Sequence, residues 1–358
     1  VLVNPLPNVN TTGGLICAGS SMNLNASGAA TYSWIPGTGL SATTGASVTA
    51  NPASTTQYTL VGVDANGCIN GDTATVTVVN NPTVTVTTGT ICLSQGSTTL
   101  TAGGASTYTW SPATGLSATT GASVVASPNA TTTYTITGTA GTCTAVGTTT
   151  VTVNPLPNIT AGSNSPVCVN QTLNLTSSNG INYAWMGPNT YTAVAQNPSI
   201  TGVTMSSAGI YTVTGIDANG CVNTNTVNVI INPLPIVTAG GATVCETQNI
   251  NLTSTPNGAA AYSWSGPLGF ISNLQNPSIA GATPGMAGTY VVTVTDGNGC
   301  VNANVAQVAI NSLPVVSANS GTVCIGQTSA TLNANGANTY NWSPATGLSS
   351  TTGATIVA

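Results

Sequence analysis

Nine cysteines and five carboxylates carry nearly all the reactive chemistry open to this 358-residue chain, because it contains no Lys, no Arg and no His. The acids are Asp64, Asp72, Asp217, Glu246 and Asp296. Three of them open a recurring pentapeptide: Asp64-Ala65-Asn66-Gly67-Cys68 returns unchanged at 217–221 and with one substitution at 296–300. A carboxylate, an amide and a thiol in so short a stretch could ligate a metal, present a nucleophile or turn the chain.

The surrounding composition weighs against the first two. A calcium loop draws on several oxygen ligands with concentrated negative charge, and a closing Glu in the EF-hand type. Here a single Asp stands in each pentapeptide, and the matching stretch at 139–143, "TAGTC", has none. A nucleophilic thiol needs a neighbouring cation or base to form thiolate, and the chain offers none. Without His, no Ser-His-Asp or Cys-His arrangement can be built. Without cations, the affinity for phosphate that nucleic-acid binding depends on is missing. No catalytic residue, metal site, cofactor or nucleic-acid partner is expected. The reading is non-enzymatic. Cysteines used this way in an exported chain form disulfides.

The elements that position these residues repeat. Tyr-x-Trp occurs with Trp34, Trp110, Trp185, Trp264 and Trp342, at intervals of roughly 75–80 residues. Each Trp is preceded by a Cys (Cys17, Cys92, Cys168, Cys245, Cys324) and then a Leu in a polar frame (Leu24, Leu100, Leu175, Leu252, Leu332). Tyr58, Tyr134, Tyr211 and Tyr290 follow, each opening an alternating run that reaches a second Cys: Cys68, Cys143, Cys221 and Cys300. Units pass to one another through Asn154-Pro155-Leu156-Pro157 and its variants, short stiff junctions because proline fixes its own φ and extends its predecessor. The expected division is a tail at 1–3, repeats at 4–79, 80–153, 154–231 and 232–310, and a shortened fifth repeat at 311–358. Units one, two and five share a "TGLS" stretch after the Trp, whereas units three and four carry "GP" and "QNPSI".

β-Branched residues alternate with polar ones through much of each unit, so the fold class is all-β. In unit one, strands are expected near 8–16, 21–27, 31–35, 46–50, 56–64 and 72–79, with a weak one near 40. So many short strands in one repeat fit an immunoglobulin-like sandwich, strands A to G, stacked end to end into a rod. The five tryptophans are then core residues. Asn66-Gly67, Asn219-Gly220 and Asn298-Gly299 are expected to make the F–G turns, because Asn and Gly both tolerate positive φ.

The combined pattern resembles the Ig-like and PKD-like tandem surface repeats of Bacteroidota gliding-motility and adhesin-type proteins. The residues that carry it are Val-Cys before a Leu strand, Tyr-x-Trp, Ala208-Gly209-Ile210-Tyr211-Thr212-Val213-Thr214 and the Asp-x-Asn-Gly-Cys pentapeptide. The resemblance covers the whole chain. It implies a stalk or spacer at the bacterial cell surface, outside the cell, exported by type IX secretion. The low charge and the Thr-, Ser- and Asn-rich composition favour hydrogen-bonded contacts with further copies or neighbouring repeats, and with polysaccharide. A glycan-binding array is the alternative reading, with exposed aromatic side chains of the "GP" units as its platform. Asp72-Thr73-Ala74 also resembles the O-glycosylation triplet of that phylum, although a charged start to the last strand is the blander and preferred reading. No run of apolar residues approaches the roughly 20 of a membrane span, so no membrane insertion is expected. The net charge of −5 is small enough to let neighbouring rods approach.

Two disulfide pairings remain open. Parity suggests bonds within each unit, Cys17 with Cys68 and so on. Topology argues for bonds between units, because the A–B turn and the F–G turn lie at opposite ends of a sandwich, beyond the roughly 7 Å that a disulfide spans. Stacking then brings Cys17 toward Cys143, Cys92 toward Cys221 and Cys168 toward Cys300. Cys68 is left for an upstream unit, and Cys245 and Cys324 for downstream ones.

Overall fold

A computed structural model describes residues 3–358. Val1 and Leu2, two of the three residues assigned to a preceding repeat, lie outside the described residues. The chain is all-β, a series of immunoglobulin-like sandwiches stacked end to end. Four hydrophobic cores follow one another, gathered around Trp34, Trp110, Trp185 and Trp264.

In the first unit the strands are β1 (Gly14–Cys17), β2 (Met22–Asn25), β3 (Thr31–Ile35), β4 (Ser47–Ala50), β5 (Thr56–Val63) and β6 (Ile69–Val79). One sheet has the order β1-β6-β5-β3, and β2 pairs with β4 in the other. The period of two is plain in β5, where Tyr58, Leu60 and Gly62 are buried while Gln57 and Thr59 are exposed. Burial of each large side chain contributes about 1.5–3 kcal/mol.

The first strand departs from the span expected at 8–16. Asn10 makes a single bridge to Ser27; the chain then crosses to the other sheet, where β1 runs parallel to β6. Gly13 permits the crossing, since a Cβ there would lie 2.0 Å from the Thr75 carbonyl oxygen. The parallel pairing recurs: Gly89–Cys92 with Cys143–Asn154, Val167–Cys168 with Ile231–Asn232, and Thr243–Cys245 with Val301–Asn311. β6 also starts three residues early, at Ile69, because its first residues complete the hairpin with β5. The weak strand near 40 is one bridge, Leu40 to Ala50.

Trp34, Trp110, Trp185 and Trp264 are 1%, 3%, 1% and 1% exposed. Each indole Nε1 donates to the backbone carbonyl eleven residues on, in Gly45, Gly121, Gln196 and Gln275. That bond satisfies the one polar atom the core would otherwise strand. Trp342 makes the same bond to Gly353 but is only half-buried, a correction to its place in the core. Residues 311–358 form three short strands, Ser317–Ala318, Thr331–Asn335 and Thr355–Val357, and include no counterparts of β5 and β6 to cover the indole.

The tyrosine that opens the β5 position divides the two subtypes. Tyr211 and Tyr290 donate to the carbonyls of Ser207 and Met286, four residues back, as in the tyrosine corner of Ig domains. Tyr58 and Tyr134 instead reach Thr38 and Thr114 in the "TGLS" stretch, twenty residues back. The "GP" units add a strand, Tyr191–Ala193 or Phe270–Ser272, beside the Trp strand. Its aromatic ring meets Tyr211 or Tyr290 edge-on, with centroids 5.6 and 5.5 Å apart.

Each of the first four units also ties its first segment to its last strand by a polar side chain. Asn225 and Asn304 donate from Nδ2 to the carbonyls of Ile159 and Val237, and Thr149 donates from its hydroxyl to Thr87. Unit one uses a carboxylate, as Asp72 Oδ2 accepts the Thr11 N–H at 2.8 Å and Oδ1 that of Thr73. These two N–H groups, Thr11 first, hold the Asp72 carboxyl below the usual carboxylate range.

Two outcomes follow. Trp185→Ala should lower the unfolding free energy of its unit by about 3–5 kcal/mol, read as a lower urea midpoint. Because the Asp72 pKa is depressed in the folded chain, its contribution is complete above the unfolded value of about 3.9 and is lost as pH falls through the folded value. The protection factor of the Thr11 amide should therefore fall at acid pH, while the protection factors in the segments held by Asn225 and Asn304 stay unchanged.

Candidate functional site

The parallel pairing of the first strand with the last fixes where the cysteines stand. Cys17 lies opposite Val79, Cys92 opposite Asn154, Cys168 opposite Asn232 and Cys245 opposite Asn311. The first cysteine of each of these units is therefore in register with the end of the last strand, where the chain leaves for the next unit. A tight turn follows it, closed by an N–H to C=O bond from the third residue on: Ser20 to Cys17, Gln95 to Cys92, Gln171 to Cys168, Gln248 to Cys245 and Gln327 to Cys324. The middle of that turn has positive φ at Gly19, Ser94, Asn170, Thr247 and Gly326.

The second cysteine sits at the other end. In the recurring pentapeptide, Asp64 Oδ1 accepts the N–H groups of Asn66 and Cys68, both at 2.8 Å. Asp217 does the same for Asn219 and Cys221, and Asp296 for Asn298 and Cys300. The Asp carboxylates are thus engaged with their own turns. The Asn-Gly pairs stand in these F–G turns, but the two residues do not both take the positive φ expected of them. Only Gly67, Gly220 and Gly299 have positive φ, near 80°, and the Asn residues do not. The carboxylate bonds stabilise a three-residue loop of Ala or Gly, Asn and Gly, in which Gly alone supplies the left-handed step. Unit two reaches the same place without an acid: Ala140 pairs directly with Cys143 across Gly141-Thr142, with Gly141 at φ +62°.

This hairpin end receives the incoming linker. Asn70, Asn223 and Asn302 donate from Nδ2 to the carbonyls of Pro7, Pro157 and Pro235 at 2.8–2.9 Å. Within one unit the two cysteines are therefore separated by the whole of the last strand. From Ile69 to Val79, 11 residues at about 3.3 Å each give roughly 36 Å.

Of the two pairings left open by the sequence, the structure contains the one between units. Cys17–Cys143, Cys92–Cys221 and Cys168–Cys300 are disulfides, with Cα atoms 5.6, 5.5 and 5.6 Å apart. Their F–G members Cys143, Cys221 and Cys300 are wholly buried. Each bond closes a loop of 126, 129 or 132 residues, which the chain-entropy treatment values at about 5 kcal/mol. Cys68 is a half-buried free thiol, and Cys245 and Cys324 are exposed free thiols.

Hydrogen bonds supplement the staples. At the joint between units two and three, Gln95 Nε2 donates to the Val222 carbonyl at 2.6 Å while its Oε1 accepts the Val222 N–H. After unit one, Asn81 Nδ2 donates to the Ala18 carbonyl. After unit four, Glu246 Oε2 accepts the Leu313 N–H. In units three and four the equivalent glutamines, Gln171 and Gln248, turn back to the N–H of Cys168 and Cys245. Thr73 stands exposed on β6 beside Asp72.

No family model matches the chain, and no curated protein matches it. Among solved structures it is similar to Sidekick-1 immunoglobulin domains 1–5, at 12% identity over 86% of this chain and 81% of that one, with a TM-score of 0.27. The N-terminal eight Ig domains of Down Syndrome Cell Adhesion Molecule align at 12% identity over 90% of this chain and 57% of theirs, TM-score 0.24. Murine CEACAM1b aligns at 17% identity over 43% of this chain and all of its own, TM-score 0.24.

Non-reducing peptide mapping of the folded chain should yield the cross-linked pairs Cys17/Cys143, Cys92/Cys221 and Cys168/Cys300. A thiol reagent should modify Cys245 and Cys324 rapidly and Cys68 more slowly. A Cys17/Cys68 peptide would contradict the geometry above.

Proposed function

We propose that the chain is a segment of an extracellular rod, a surface filament or adhesin stalk that spaces and holds rather than catalyses. The observation that carries this reading is the placement of the three disulfides, each joining the exit end of one unit to the F–G turn of the next. Disulfides persist in oxidising settings outside the cytoplasm, and sandwiches this small gain from covalent reinforcement. Repeat boundaries near Asn80, Asn154, Asn232 and Asn311 fit the spacing of the cores and staples. A bacterial surface setting, type IX export and glycosylation of Thr73 belong to the same proposal through the family resemblance.

Association with further copies is favoured by the low charge. Glycan recognition is the second reading, and burial of Trp185 and Trp264 leaves the "GP" units without their best stacking surfaces. Its remaining foothold is an open groove of about 540 Å³ beside β3, lined by Thr31, Tyr32, Ser33 and Thr44, with counterparts of about 390 and 350 Å³ beside Tyr108 and Tyr340.

Electron microscopy of the purified full chain distinguishes a spacer from a compact binding module. Under oxidising conditions it should show straight particles one unit wide. In reductant the units should stay folded on their own cores while the particles bend more at the joints. Globular particles under oxidising conditions would overturn the rod reading.

A further inference from the structure

The order of the staples along the chain has a mechanical meaning beyond holding neighbours together. From the N-terminal side, a covalent path runs to Cys17, crosses to Cys143, follows the backbone to Cys168, crosses to Cys300 and continues through the last strand of unit four. A second path runs from Cys68 to Cys92, crosses to Cys221 and reaches Cys245. The two paths alternate: each omits the segments between them, residues 18–67, 93–142, 169–220 and 246–299, which hold strands B to F of the sandwiches.

What each path does contain is already stretched. The piece from Cys143 to Cys168 consists of the last strand of unit two (Cys143–Asn154), the proline junction, the strand Thr160–Ser163 and the strand Val167–Cys168. The piece from Cys221 to Cys245 is built alike, from Val222–Val229 to Thr243–Cys245. Strand backbone rises about 3.3 Å per residue, and a taut chain reaches at most about 3.6 Å. The slack in such a piece is therefore on the order of 10%.

We propose that the staples weave the backbone into two interleaved covalent threads, so that between Cys17 and Cys300 the array carries tension along strands already extended and cannot lengthen by unfolding its units, while residues 301–358 stay in line with the force. Ordinary tandem sandwiches lengthen when one domain gives way, because its whole chain then joins the line of force. Here that length is shunted: strands B to F can melt, and the distance between Cys17 and Cys300 is still fixed by the threads. The chemistry that suits this role is a tether under steady or fluctuating pull. The inference rests on the spacer reading for its purpose, but its test reads connectivity alone.

The experiment is single-molecule stretching of the full chain, held by tags at its two ends, with Cys68, Cys245 and Cys324 alkylated. Oxidised, the path from end to end comprises roughly 100 peptide links, or about 360 Å when taut; with every staple reduced it comprises roughly 360 links, or about 1,300 Å. Force should rise steeply near 360 Å in the first case, and unfolding steps of a full unit should appear only in the second. Two double variants separate the threads. Cys17→Ser with Cys143→Ser breaks the shorter path and should add about 370 Å. Cys92→Ser with Cys221→Ser breaks the other and should add nothing. An oxidised chain that extends well past 400 Å, or equal lengthening by the two variants, overturns the proposal. Straight particles in the microscope together with such lengthening would leave the spacer reading intact and remove only the tension-bearing one.

Discussion

The structure depends on one strand pairing, the parallel contact between the first and last strands of each unit. Without the crossing at Gly13, the first segment would stay on the sheet of β2 and its cysteine would have no fixed relation to the end of β6. With it, Cys17 is carried to the residue where the chain leaves the unit. In units three and four the F–G hairpin is presented to the equivalent point of the preceding unit by Asn223 and Asn302, whose side chains donate to the carbonyls of the linker prolines Pro157 and Pro235. Strand pairing at one end of a sandwich and side-chain bonds to the linker at the other thus bring two thiols within bonding range in separate domains.

The cores play a different part. Each is complete within its unit: Trp, Tyr and Leu are buried together, and each indole N–H finds a carbonyl from the same unit. The subtypes show how freely such a core can be finished, since Tyr134 fastens to a "TGLS" loop and Tyr211 to its own corner, with an added edge-on aromatic ring in the second case. The surfaces of the units can therefore differ while the disulfide staples remain alike.

Much of the fold was legible in the sequence, because period-two alternation and the Tyr-x-Trp repeat are local signals that tertiary packing reinforces. The strand that carries Tyr58 and the Trp34 core follow directly from them. The separation between the two cysteines of a unit could also be counted, since strand length converts to distance. Three features were not legible. The crossing of the first strand depends on a close approach between Gly13 and Thr75, which no pattern within 8–16 announces. The turn before Cys68 is governed by Asp64, whose carboxylate accepts two N–H groups; the same Asn-Gly without it would favour a shorter hairpin. The hydrogen bonds of Gln95 to Val222 join residues 127 apart in sequence, and the same glutamine turns inward in units three and four. The partial exposure of Trp342 reflects strands that residues 311–358 do not include.

The overlap of the three disulfide loops bears on survival as well as on shape. The loops run from Cys17 to Cys143, from Cys92 to Cys221 and from Cys168 to Cys300, so every peptide bond between Cys17 and Cys300 lies inside at least one of them. A single hydrolytic cut anywhere in that span leaves one covalent molecule. A chain without Lys or Arg already denies a site to proteases that require a basic residue, and where some other enzyme succeeds in a loop, the nick does not part the molecule. Parting the two ends takes at least three cuts: one between Cys143 and Cys168, together with one in each of 17–92 and 92–143 or one in each of 168–221 and 221–300.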